Sequence, residues 1–180
     1  FMQFLRDDGT DPASIGEYFA AYRRKLFNTD PAPDIQGHLK GARTVELENR
    51  ALTGLTDNRM VDGALRLPTG KRYPNGPPDG GLFLLEEKAG KSFDLEQAKI
   101  YSKLAEDGKL ATGSSGAAQG LIYFVEDPKQ ADTIVSKLNG PPRLSDKIHV
   151  VTFSADGTLK FKSRGGEVLA PTLSRSKGKQ

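Results

Sequence analysis

Residues 80–104 read GGLFLLEEKAGKSFDLEQAKIYSKL. The apolar run Leu82-Phe83-Leu84-Leu85, opened by two glycines, is that of a buried strand. It ends in Glu86, Glu87 and Lys88, so charge is set at the margin of a core, where burial has to be compensated. Asp94 then offers an N-cap with Gln97 at the third helical position, and the helix predicted over 94–108 carries Gln97 and Tyr101 one turn apart on one face.

Upstream, DPASIGEYFAAYRRKLF predicts a helix capped by Asp11 or Ser14, with Ile15, Tyr18, Phe19, Tyr22 and Leu26 as its apolar stripe. NTDPAPD at 28–34 breaks the chain, and a second helix is predicted from Ile35 to Leu52, closed by Gly54. A strand over 58–67 precedes the opening stretch. Downstream lie a small-residue loop (ATGSSGAAQG), an apolar strand at 121–127 and a helix at 128–140 with Pro at its start and Gly at its end. KIHVVTFSADGTLKFKS closes the chain as two strands joined by an Asp156-Gly157 turn. Helices and strands mixed in this order predict an α/β fold with a mixed sheet flanked by helices.

With 180 residues the chain can bury a core without staples, and with no cysteine it has neither disulfides nor thiolate chemistry. No apolar run reaches the ~20 residues that span a bilayer. Met2 behind Phe1 suggests a piece of a longer chain. The net charge is only +3, but 157–180 holds Lys160, Lys162, Arg164, Arg175, Lys177 and Lys179 against Glu167 alone. A basic tail of this kind either solubilises the chain or contacts phosphates. The division expected is a helical extension at 1–34, a core at 35–163 and a tail at 164–180.

Strand residues alternate faces, so Glu86 and Lys88 share one and Glu87 takes the other. If 58–67 and 81–89 pair as a hairpin with Leu67 opposite Gly81, Asp62 falls opposite Glu86 on the same face. Two carboxylates that close repel, and a divalent cation with hard oxygen ligands, Mg²⁺ or Mn²⁺, is the natural compensation. Such an ion activates water and steadies a phosphate in transfer, with Lys88 orienting the water or offsetting charge.

This arrangement resembles the PD-(D/E)xK nuclease superfamily, whose motif is an acid near the start of one strand and (D/E)-x-K ending the next: here Val61-Asp62, with Val in place of Pro, and Glu86-Glu87-Lys88. Gln97-Ala98-Lys99-Ile100-Tyr101 is similar to the Q-x-x-x-Y helix of its RecB-like branch. The resemblance covers roughly 41–161 and implies a restriction-endonuclease-like core, with Asp62, Glu86 and Glu46 at the metal, Lys88 at the attacking water, and Gln97 and Tyr101 on substrate. The resemblance also implies a metal-facing acid on a helix before the first strand, a role that the Gly41-x₄-Glu46 spacing gives to Glu46, with Glu48 as its competitor. The long loop 68–80 carries Lys71, Arg72 and Tyr73, placed either to grip phosphates or as a surface insertion.

A compact domain of this type further resembles the C-terminal toxin modules of bacterial polymorphic toxins. That implies delivery into the cytoplasm of a rival cell, DNA as the target and a cognate immunity protein. A repair or recombination nuclease of the same fold, a metal-free RNase using His38 or His149, and a noncatalytic nucleic-acid-binding domain are the other readings. Each residue also has a plain structural one: Asp62 as a turn acid before Gly63, Glu86–Lys88 as a strand-end ion pair, Gln97 as a cap, Tyr101 as core and His149 as a satisfied strand residue.

Overall fold

The computed structural model describes residues 2–28, 41–68, 81–90, 92–113, 116–154, 159–162 and 164. Two N-terminal helices, α1 (Met2–Asp7) and α2 (Pro12–Asn28), are followed by strands β1 (Arg43–Val45), β2 (Gly63–Arg66) and β3 (Leu82–Lys88). Helix α3 (Leu95–Glu106), β4 (Gly120–Val125), α4 (Pro128–Asn139), β5 (Ile148–Phe153) and β6 (Leu159–Phe161) complete the order. Among the described residues the six strands form one mixed sheet in chain order. β1, β2 and β3 are antiparallel neighbours, β3, β4 and β5 run parallel, and β6 returns antiparallel.

The parallel strands need crossovers, and α3 and α4 supply them. Asp94 caps α3, its Oδ1 accepting from the Gln97 N–H at 3.0 Å, and Asp127 caps α4 by accepting from the Lys129 N–H at 2.9 Å. Both helices cover one face, where Ala98, Tyr101, Ile134 and Leu138 pack with Leu84, Leu121, Tyr123 and Val150. The other face is covered by α2: Ile15, Phe19 and Phe27 pack with Leu65, Phe83, Leu85, Ile122 and Phe124. Phe19 stacks on Phe124 with ring centroids 5.2 Å apart. The stretch 1–34 thus contributes a helix to the core itself. Gly120 marks the tightest approach within the sheet, since a Cβ there would lie 2.4 Å from the Lys147 carbonyl oxygen. No helix among the described residues is long and apolar enough to cross a membrane.

Several sequence expectations are corrected. Within the helix predicted over 35–52, Arg43–Val45 is a strand, and Ala51 and Leu52 make isolated bridges to Met60 and Thr112. The reason is a period of two: Val45 and Leu47 pack toward one core cluster, Ala42 toward the other. Residues 35–40 lie outside the described residues. The strand expected over 58–67 is regular only from Gly63 to Arg66. The buried stripe of α2 is Ile15, Phe19, Arg23 and Phe27, whereas Tyr18 and Tyr22 are exposed. Its cap is Asp11, whose Oδ1 accepts from the Ala13 and Ser14 N–H groups at 3.0 and 3.1 Å.

Arg164, counted with the basic tail, is buried. Its guanidinium donates to the Leu138, Leu144 and Ile148 carbonyls at 2.8, 2.9 and 3.1 Å, closing the gap between α4 and β5. Burial draws its pKa down to about 10. The Asp156-Gly157 turn, the loop residues Lys71, Arg72 and Tyr73, His38 and the segment 165–180 lie outside the described residues.

Candidate active site

The ladder between β2 and β3 has the register in which paired residue numbers sum to 148, as in Gly63↔Leu85 and Arg66↔Leu82. The alternation along β3 then sends Glu86 toward α3 and Glu87 toward α2. Glu86 is 3% exposed. Its Oε1 accepts from the Tyr101 hydroxyl at 2.5 Å and its Oε2 from the Lys88 Nζ at 3.2 Å. Tyr101 comes from the middle of α3, where the helix packs flat on the sheet, and it is fully buried. The Lys88 Nζ also lies 6.0 Å from the centre of the Tyr123 ring.

Burial, and after it the negative charge of Asp62, pushes the Glu86 carboxyl up to about 7 against the lowering influence of Lys88 and Tyr101. A carboxyl at that value changes charge near neutral pH, a common property of groups that do chemistry.

Asp62 precedes β2 and leaves the ladder. Its N–H donates to the Leu85 carbonyl at 3.0 Å, one residue short of the register followed by Gly63–Arg66. Val61 and Ala64, three residues apart, belong to the same core cluster, so strict alternation is broken between them. The expected placement of Asp62 directly across from Glu86 on one face is therefore modified. Its Oδ2 instead accepts from the Glu87 backbone N–H at 2.7 Å, and its charge raises the pKa of both Glu86 and Glu87.

Glu87 is balanced from the opposite face by Arg23, whose Nε donates to Glu87 Oε1 and whose Nη1 donates to Thr44 Oγ1 at 3.2 Å. The side chains of this pair are 1% and 7% exposed. Arg23 was not singled out in the sequence because an arginine inside an apolar stripe reads as a polar interruption. The signal was the four-residue spacing Ile15, Phe19, Arg23, Phe27, with Glu87 available on the facing strand.

The remaining expected residues distribute unevenly. Glu46 follows β1 in extended chain, not in a helix; it is exposed and lines a cleft together with Asp62. Glu48 is exposed on the same irregular stretch. Gln97 is half-buried one turn from Tyr101. Tyr101 itself, expected to hold substrate, holds Glu86. His149 is half-buried, edge-on to Phe83 and Phe161 at 5.8 and 6.1 Å, apart from the acids. Tyr123 was also missed: its register partner is Glu86, and its buried hydroxyl has no hydrogen-bond partner among the described residues.

Among the described residues no group of three or more His, Asp or Glu side chains is arranged to hold a metal ion. Asp62 and Glu86 are the two expected metal-holding acids that act on each other: burial first, and then the charge of Asp62, raises the Glu86 pKa, and a hard divalent cation would offset that charge.

A cleft lined by Asp62, but not by Glu86, has a volume of about 290 Å³. It is bounded by α2, β1 and the start of β2, and Arg23, Arg24, Arg50, Thr44, Glu46 and Asp62 form its polar wall. Comparison with protein-family models, curated proteins and solved structures finds no match to this chain.

Proposed function

We propose that this chain is a metal-dependent nuclease that hydrolyses phosphodiester bonds, with DNA as its substrate. The observation that carries the reading is the junction of Asp62, Glu86 and Lys88 at one margin of the sheet. Asp62 bonds to the Glu87 N–H, Glu86 is gripped between Tyr101 and Lys88, and a carboxyl titrating near 7 remains at the centre. An ordinary strand-end ion pair lies in solvent. This one is buried at 4% and 17% side-chain exposure and carries a second acid beside it.

Asp62 and Glu86 are the residues that would hold Mg²⁺ or Mn²⁺, and Glu46 lines the cleft on the same side as Asp62. Bound there, a divalent ion supplies Lewis acidity toward a phosphoryl oxygen and lowers the pKa of water. Tyr101 holds Glu86 Oε1, which leaves Oε2 to Lys88. Lys88 keeps a cationic donor 3.2 Å from that oxygen, where it orients the attacking water and offsets the charge that grows on the phosphoryl oxygens. Water adds to phosphorus as the bond to the leaving oxygen breaks; the water gives up a proton to solvent and the leaving alkoxide takes one up from solvent, yielding an alcohol and a phosphate monoester. Gln97, on the exposed side of the Tyr101 turn, is assigned to the substrate.

The test is hydrolysis of DNA and of RNA in Mg²⁺ by the wild type and by Glu86→Gln. The reading requires cleavage that falls by orders of magnitude in the variant while its circular dichroism is unchanged; equal cleavage by the two proteins refutes the assignment. The role as the toxic effector of an interbacterial toxin, with an immunity partner, is carried by resemblance. It requires that cytoplasmic expression arrest bacterial growth and that Glu86→Gln relieve the arrest.

A further inference from the structure

Three guanidinium groups from two separate segments meet around one cleft: Arg23 and Arg24 on α2, and Arg50 in the irregular stretch after β1. We propose that this cleft is a binding site for the sugar–phosphate backbone of a nucleic acid strand. It would seat a phosphate flanking the one that is cleaved, with Arg24 and Arg50 as its ligands. The proposal rests on the nuclease reading for the direction of the strand, because Asp62 both lines the cleft and lies beside Glu86.

The lining selects the ligand class. Val45 and Leu47 are the apolar side chains of the wall, too little to hold a base or an apolar small molecule. Guanidinium groups match phosphate oxygens in planar, paired hydrogen bonds.

Arg23 gives the cleft a rigid floor. It is 1% exposed and tied to Glu87 and Thr44. Gly63 leaves room for it, since a Cβ there would lie 2.8 Å from its Nη2. Arg50 is turned inward by donating from Nη1 to the Asp62 carbonyl at 3.2 Å, while Arg24 and Arg50 both stay exposed to an incoming ligand. Arg23 is offset by Glu87. Glu87 acts on Arg24 as well, yet the lining itself sets Arg23, Arg24 and Arg50 against Glu46 and Asp62, so the cleft wall is net positive and favours an anion.

The test is fluorescence anisotropy of a short labelled single-stranded DNA, and of RNA of the same sequence, in Ca²⁺ over a range of salt. Arg24→Gln/Arg50→Gln is compared with wild type and with Lys103→Gln/Lys109→Gln, which removes equal charge from exposed positions in the last turn of α3 and just beyond it. We expect the arginine variant to bind roughly tenfold or more weakly, with a salt slope shallower by roughly 0.7 for the one phosphate the two arginines seat. The lysine variant should follow wild type.

Equal losses in the two variants, no loss in the arginine variant, or no binding by wild type overturns the site. Mg²⁺-dependent cleavage is assayed in parallel. Its absence alongside arginine-dependent binding would retain the cleft and remove the nuclease reading.

Discussion

The Tyr101 hydroxyl donates to Glu86 Oε1 at 2.5 Å inside the core, and both side chains are almost wholly excluded from solvent. A helix residue therefore sets the position of the strand-end carboxylate. Tyr101→Phe removes the donor and leaves a buried carboxylate oxygen unsatisfied, at a cost of about 1–3 kcal/mol when Glu86 is ionised. Urea unfolding at pH 8 should show this loss, and it should shrink at pH 5, where Glu86 is protonated in the folded state. An equal loss at both pH values would mean that Tyr101 acts through packing alone.

The raised Glu86 pKa makes a prediction with a definite sign. The group is near 4.5 when exposed and about 7 in the fold, so the folded state binds the extra proton between these values. Its contribution to stability is complete below about 4.5 and is lost as pH rises through about 7, to a total of roughly 3 kcal/mol at 1.36 kcal/mol per unit. Denaturation between pH 5 and 8.5 should show that decline, and Glu86→Gln should flatten it and be the more stable protein at pH 8. Saturating Mg²⁺ should restore stability to the wild type at pH 8 and leave Glu86→Gln unaffected. If stability instead climbs across this range in the wild type but not in Glu86→Gln, the carboxyl is not destabilised by its surroundings.

On the opposite face, Arg23 and Glu87 form a buried ion pair that joins α2 to the sheet. Removing one partner strands the other charge, so Arg23→Met should cost about 3–5 kcal/mol, and Arg23→Met/Glu87→Met should recover much of it. Chemical denaturation of the two singles and the double closes the cycle. Additive losses would show that the two charges do not depend on each other.

Tyr123 carries a buried hydroxyl with no partner among the described residues. Tyr123→Phe removes an unsatisfied group while keeping the ring between Phe93 and Lys88, so stability should stay the same or rise by up to about 1 kcal/mol. Thermal unfolding decides this, and a loss above that size would mean the hydroxyl has a partner in solution.

The parts of the fold legible in the sequence are those written in strong periodic patterns. The register supposed for β2 on β3, with Leu67 opposite Gly81, holds from Gly63 to Arg66. Helix α3 was legible from its Asp94 cap and α4 from Pro128 at its start and Gly140 at its end, whereas the Asp127 cap was not read. The irregular step at Asp62 was not, because a local break in a strand leaves no mark in residue type. β1 was missed because three residues are too few for an alternation to outweigh the helix-like composition around them.

The mis-phased stripe of α2 has another cause. Tyr18 and Tyr22 look apolar but keep a polar end in water, while Arg23 looks polar yet is buried once Glu87 faces it. At the site, the pairing of Glu86 with Lys88 was readable from spacing. The use of Tyr101 as a ligand of Glu86, and the cleft formed by Arg24 and Arg50, depend on which elements the tertiary fold brings side by side.

The most direct test of the central claim is nicking of supercoiled plasmid by the purified protein in Mg²⁺ and in EDTA, beside a Lys88→Ala variant whose folding is verified by circular dichroism. The account requires cleavage in Mg²⁺, none in EDTA, and a loss of at least about a hundredfold in Lys88→Ala, since that ammonium is the cationic donor at Glu86. Cleavage that persists in EDTA, or that Lys88→Ala performs at the wild-type rate, would contradict it.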